Sequence, residues 1–292
     1  DSISSVVALV RKLRSAYARA ADVDIYHANW LQSVISKKHD GKPLLVTVLG
    51  TDFALLRIPG VIHLLRRVFR SCRCFIAPNA DWMVPRLEAC FGDIATIRCI
   101  PFGIDKRWFD ISRKAPREAP HRWLLVSRIT RAKIGPLFDW GGGIFGGDHE
   151  LHVFGPMQEE ISMPSWVHYH GATNPGELRE KEFPIAAGLI TLSEHDEGRP
   201  QVMLEAMAAG LPILASPLAA HLDFISDGAT GLIVRSRKDL GTLMEKLSLP
   251  DVNSKIGSNA KSWVKNQLGT WDDCAQRYVS AYESLVDSRP HE

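Results

Sequence analysis

The stretch that decides the fold is Leu192-Ser-Glu-His-Asp-Glu197-Gly-Arg-Pro200-Gln-Val-Met-Leu-Glu205-Ala-Met-Ala-Ala-Gly210-Leu-Pro212. An apolar run ends near Ser193 and a polar loop follows. Pro200 then sits in the first turn of a helical stretch, where its missing N–H costs nothing. Gly210 and Pro212 stop that helix, and Ile213 starts the next apolar run. A strand, loop, helix and strand in this order place a helix N-terminus at the carboxyl end of a parallel sheet, where open α/β sheets bind ligands. The free N–H groups and partial positive charge there suit a phosphate. Glu197 lies in the loop and Glu205 about a turn and a half inside the helix. If both face the crevice, a separation of roughly 8–12 Å at about 1.5 Å per helical residue spans a nucleotide sugar. The same spacing equally fits an exposed loop acid and an ordinary helical glutamate.

Working outward, the same rhythm fills the chain. Its 292 residues are 45% hydrophobic and 23% charged, a composition that favours two medium cores and holds no run long enough to span a bilayer. In the first half, residues 3–20 carry Val6, Val7, Val10, Leu13 and Tyr17 on one helical stripe. Strands are expected at 24–27, 44–48, 74–77 and 96–100, with helices near 61–70 and 81–90. Strands recur at 123–127, 150–154, 167–169, 189–192, 213–215 and 231–234, with helices at 200–209 and 239–247 and a helical pair over 256–285. Short β-branched runs alternating with amphipathic ones predict α/β architecture with parallel sheets. A polar stretch from Arg113 to His121 reads as the linker. Residues 1–110 hold 16 Lys and Arg against 10 Asp and Glu, a balance of +6, and the remainder 19 against 23, or −4. Opposite signs suggest two domains with different partners.

Several motifs bear on chemistry. The run Trp123-Leu-Leu-Val-Ser127 is followed by Arg128 and Lys133, and two cations just past a strand end can neutralise a diphosphate. The cluster Gly141-Gly-Gly-Ile-Phe-Gly-Gly147 follows a helix and precedes a strand, the reverse of the phosphate-binding order, so it reads as a connection. Asp22-Val-Asp24 enters a strand instead of leaving it, the wrong end for holding a metal on a diphosphate. The five cysteines form no C-x-x-C pair, which argues against a zinc site or disulfide framework.

The segment from Glu197 to Pro212 has the E-x7-E spacing and resembles the family 4 retaining glycosyltransferases, as does Asp227-Gly-Ala-Thr-Gly-Leu-Ile-Val234. The resemblance implies the GT-B fold, with two Rossmann-like domains. It assigns residues 1–112 to an acceptor-side domain, 113–270 to a nucleotide-sugar-binding domain, and 271–292 to a helix that crosses back to the first. It also implies that Glu205 holds the ribose hydroxyls, and that Glu197 with the backbone at Gly198 and Arg199 contacts the transferred sugar. Pro200, Gln201 and Val202 complete the donor site, while Arg128 and Lys133 stabilise the departing diphosphate. The expected reaction moves a sugar from a nucleoside diphosphate donor to a glycan or lipid-linked acceptor with retention. No cofactor and no metal are expected.

The first half resembles the family through Asp24-Ile-Tyr-His-Ala-Asn-Trp30, Pro43-Leu-Leu-Val-Thr-Val-Leu49-Gly50-Thr-Asp52 and Ile100-Pro-Phe-Gly-Ile-Asp105. His27, Gly50 and Asp52 are candidate contacts, though a lone histidine at a strand end is more often structural. Leu49 stands where the family often has a histidine. The family's opening strand–helix units have no counterpart before Asp24, so the N-terminal domain is expected to be incomplete, to expose a strand edge and to self-associate or take a partner. The basic, apolar segment from Arg57 to Arg73 suits an anionic membrane surface as well as a core helix with a solvated face. The expected location is therefore cytoplasmic, peripheral at the inner face of the membrane, with no nucleic-acid partner. Two other readings stay open: a nucleotide-sugar epimerase or hydrolase on the same fold, and a non-catalytic donor-binding subunit.

Overall fold

The computed structural model describes residues 3–20, 22–195 and 197–287; Asp196, within the decisive loop, lies outside them. The chain forms two compact units: Asp1–Phe102 with Glu197–Arg199 and Asp273–Glu292, and Gly103–Asp196 with Pro200–Asp272.

The first unit opens with helix α1 (Ile3–Arg19), whose Val10 and Leu13 are half-buried and whose Tyr17 is buried. Four parallel strands follow in sequential order: β1 (Tyr26–Asn29), β2 (Leu44–Val48), β3 (Cys74–Pro78) and β4 (Thr96–Ile97). Helices α2 (Val61–Phe69) and α3 (Val84–Phe91) lie between the later strands. Period-2 alternation divides the strand side chains between two faces. Leu44, Val46, Val48 and Ile76 join the core beneath α1, α2 and α3, whereas Leu45, Phe75 and Ala77 pack on the C-terminal helix. β4 is shorter than the expected 96–100, but Arg98 N–H still donates to Ile76 O and Ile100 N–H to Pro78 O.

The second unit is a six-stranded parallel sheet of β5 (His121–Val126), β6 (His149–Phe154), β7 (Val167–Gly171), β8 (Gly188–Thr191), β9 (Ile213–Ala215) and β10 (Leu232–Ile233). Its order, β10-β9-β8-β5-β6-β7, is the doubly wound dinucleotide-binding topology, whose direction reverses between β5 and β8. Helices α4 (Arg131–Ile134), α5 (Leu137–Gly141), α6 (Pro175–Glu177), α7 (Gln201–Ala208), α8 (Ala219–Leu222), α9 (Arg237–Ser248) and α10 (Pro250–Gln267) surround it. Leu124, Leu189 and Ile213 face one core, and Trp123, Leu125, Ile190 and Leu214 the other. Buried on both sides, these strands carry the continuous apolar runs that parallel sheets require. The last helix, α11 (Trp271–Val286), starts in this unit, and from Asp273 the chain packs with the first. There Ala281 and Leu285 cover Leu45 and Phe75.

The stretch read as the linker, 113–121, begins with Arg113, a half-buried residue of the second unit. Its guanidinium is buried within the second unit, donating to Ala186 O, Ala187 O and Gly210 O, and to Asn253 Oδ1 at 2.7 Å. Burial pulls it down to about 10. The sequence around Arg113 does not show these partners, because the carbonyls that receive it lie 70 or more residues away.

Candidate functional site

The switch point of the second sheet gathers the loop after β5 and the loop after β8. β5 ends at Val126, and Arg128 and Lys133 follow it. Thr130 caps α4, its hydroxyl accepting from Lys133 N–H at 3.2 Å, which draws the segment into a tight turn. Arg128 is exposed, and Lys133 is half-buried. The β8 loop packs on this turn: Glu194 N–H donates to Ala132 O at 2.8 Å. Gly135 lies at φ +55°, and a Cβ there would come within 2.0 Å of Leu192 O. Only glycine permits that approach. Ser193 is buried, accepts from His195 N–H and receives Ser216 Oγ–H through its carbonyl. The cations after β5 and the loop after β8 are therefore held together by backbone contacts.

Pro200 stands at the N-cap of α7, one position before the expected first turn, because its ψ of 110° is extended. The rest of the helix shows why it is so apolar. Met203, Leu204, Ala206, Met207 and Ala208 are buried, while Gln201, Val202 and Glu205 form the half-buried stripe at i, i+1 and i+4. Gln201 Nε2 donates to Gly103 O at 3.0 Å, tying the helix start to the segment carrying Asp105. Glu205 is pushed up to about 7, by burial first and then by the Asp105 carboxylate. Asp105 itself is held at about 2 by Arg107. A half-buried acid titrating near neutrality marks a candidate functional group. Asp105 was not singled out in the sequence; its ending of Ile100-Pro-Phe-Gly-Ile-Asp105 was the available signal.

Glu197, Gly198 and Arg199 group with the first unit. Gly198 presses on the turn after β2: a Cβ on it would meet Leu49 O at 2.3 Å, and one on Gly50 (φ +106°) would meet Gly198 N at 2.1 Å. Trp82 Nε1 donates to Gly198 O at 2.8 Å, and the buried Arg199 lies 3.5 Å from Asp81. Trp82 carried no signal in the sequence, since its role depends on where the Gly198 loop lands. Glu197 is half-buried beside this seat.

The remaining candidates of the first unit are occupied structurally. Asp52 is buried and accepts from Leu31 N–H on one oxygen and from Leu49 and Gly50 N–H on the other. It shapes the turn that meets Gly198. Burial pushes its carboxyl up, against the pull of those N–H donors. His27 bonds Thr47 Oγ1 at 2.8 Å and Tyr282 OH at 2.6 Å, fastening β1 and β2 to α11. That is the structural role expected of a lone histidine at a strand end. Asp22 and Asp24 precede β1.

Residues 144–263 match the family described as glycosyl transferases group 1. A D-inositol 3-phosphate glycosyltransferase from Gordonia bronchialis is 30% identical over 106 residues, covering 35% of this chain and 23% of that protein. The chain spans about a quarter to a third of the length of the curated relatives it matches. Among solved structures, sucrose-phosphate synthase from Thermosynechococcus elongatus superposes with a TM-score of 0.75 at 17% identity, over 96% of this chain and 80% of that one. Anabaena HepE in complex with UDP-glucose gives 0.71 at 12% identity, over 95% and 82%. The fold is thus the α/β GT-B fold, with two Rossmann-like domains.

Proposed function

We propose that this chain carries the donor site of a retaining glycosyltransferase, which moves a sugar from a nucleoside diphosphate donor to a glycan or lipid-linked acceptor. The observation that carries this reading is the convergence, at the switch point of one sheet, of two cations after β5 and the α7 N-terminus after β8. The family match over residues 144–263 supports it. Glu205 accepts the ribose hydroxyls from the open stripe of α7, beside Gln201 and Val202. Free N–H groups after Pro200 meet the diphosphate. Arg128 and Lys133 neutralise the charge that develops as the sugar departs, the task a metal performs elsewhere, so transfer proceeds without one. Glu197, with the backbone of Gly198 and Arg199, orients the sugar. The binding of UDP-glucose by HepE supports a nucleotide-sugar ligand.

Among the described residues no helix is long and apolar enough to cross a membrane. The exposed Arg57, Ile58, Leu64, Arg67 and Arg70 of the first unit suit a peripheral position at the cytoplasmic face, where lipid-linked acceptors reside. The test supplies UDP- and GDP-sugars with and without isolated membranes and follows nucleoside diphosphate release and the anomeric configuration of the product. Acceptor-dependent release with retained configuration is expected. Acceptor-independent release or an altered free sugar would instead identify a hydrolase or epimerase, and donor binding without turnover a binding subunit.

A further inference from the structure

The outer edge of the second sheet carries a polar cluster that the proposed transfer does not use. Glu150 and His152 stand two apart on β6 and share a face, as do His168 and His170 on the edge strand β7. The register pairs His152 with His168, whose rings stack at 4.7 Å, and pairs Arg122 of β5 with Glu150. Glu150 Oε2 lies 3.1 Å from His152 Nε2, and Arg122 Nη1 lies 3.2 Å from the same nitrogen. His152 Nδ1 is 2.9 Å from His170 Nε2.

These contacts make incompatible demands on one atom. A guanidinium can only donate, so Arg122 requires a lone pair on His152 Nε2. A carboxylate only accepts, so Glu150 requires a proton there. If Nδ1 holds the ring proton and donates it to His170, Nε2 turns its lone pair toward the Glu150 oxygen. In the structure the Arg122 guanidinium is the cation that meets this lone pair, at 3.2 Å, and a bound metal ion would take its place there, leaving Arg122 on Glu182 at 2.6 Å. Zinc bonds to histidine nitrogen and carboxylate oxygen are about 2.0–2.2 Å, which puts ligand atoms of a tetrahedral site about 3.3 Å apart. Glu150 and His152 already have that separation, and Glu150, His152 and His168 all place a ligand atom within 4.8 Å of one another. His168 is exposed, so a modest rotation of its ring completes the set. The remaining groups supply an outer shell: His170 orients His152 through Nδ1, and Glu182 retains Arg122 at 2.6 Å.

We propose that Glu150, His152 and His168 form a binding site for a borderline divalent cation of the Zn2+ type, fastening edge strand β7 to β6. One carboxylate with two imidazoles suits zinc and disfavours magnesium, which prefers oxygen ligands in an octahedron. A cation here ties the edge strand to its neighbour across one face of the sheet. The site lies on β6 and β7 and not on the loops after β5 and β8, so it takes no part in the proposed transfer.

Calorimetry on the untagged full chain, stripped with chelator and titrated with ZnCl2 or MgCl2 at pH 7.5, tests the site. One Zn2+ per chain at micromolar affinity or tighter is expected, with no heat from Mg2+. Glu150→Gln and His168→Gln, both at positions open to solvent, should each weaken Zn2+ at least tenfold while leaving the circular dichroism spectrum unchanged. His63→Gln, on the exposed face of α2, should leave Zn2+ affinity unchanged. Absence of Zn2+ binding, or binding that persists undiminished in the Glu150→Gln, His168→Gln double variant, would overturn the proposal.

Discussion

Replacing Glu205 by Gln should make the unliganded protein more stable and its nucleotide complex weaker. The folded protein holds this carboxyl at about 7, against an ordinary 4.5, because burial and Asp105 disfavour its charge. Between those two values the folded state keeps a proton that the unfolded chain has released, so this group's contribution to stability falls as pH rises through the window. At about 1.36 kcal/mol per pKa unit the full shift corresponds to about 3 kcal/mol. Solvent screening at a half-buried position reduces this to about 1–2 kcal/mol. A neutral amide escapes the penalty, so at pH 8 the variant should melt about 2–8 °C higher, and near pH 4.5 the two proteins should coincide. The nucleotide sees the opposite change. Losing one charge-assisted contact to the ribose costs about 1.5–3 kcal/mol, or about ten- to a hundredfold in Kd. Wild-type affinity should climb between pH 6 and 8 as the carboxyl ionises, while that of the variant stays flat. Differential scanning fluorimetry across pH and calorimetry with UDP and GDP measure both arms. A variant less stable than wild type at pH 8, or one with unchanged nucleotide affinity, would refute the reasoning.

Arg128→Ala and Lys133→Ala should each slow transfer by about a hundredfold or more, and transfer should survive EDTA; restoration by magnesium after chelation would sink the metal-free step. Gly50→Ala forces a Cβ against Gly198 N at a φ of +106°, so it should displace the Glu197–Arg199 segment and abolish turnover while leaving the melting of the second unit unchanged. Arg113→Met strands Asn253 Oδ1 and the carbonyls of Ala186 and Gly210 and should cost about 3–5 kcal/mol by urea denaturation; a loss below about 1 kcal/mol would place that guanidinium in solvent. Strand β1 pairs on one side only among the described residues, so light scattering should detect concentration-dependent self-association through the first unit, and a monomer at all concentrations would contradict it.

The sequence by itself determined the alternation of strands and helices and the strand–loop–helix–strand unit around Pro200. Those features depend on local physics: β-branched runs, a proline that tolerates a helix start, and a glycine and proline that end it. The cations after β5 were visible as a spacing. Only the tertiary structure decided what each polar group meets. Asp52 and His27 have the residue types of ligand contacts, yet one is consumed by three backbone N–H groups and the other by Thr47 and Tyr282. Arg113 lies in a polar stretch, yet its guanidinium is taken up by three carbonyls and Asn253. Asp105 looked incidental and sets the charge environment of Glu205 from a hundred residues away. Periodicity is written in neighbours along the chain, but desolvation and hydrogen-bond saturation are set by groups brought together across it. A residue's chemical type therefore states what it can do, and its enclosure decides which of those things remains available.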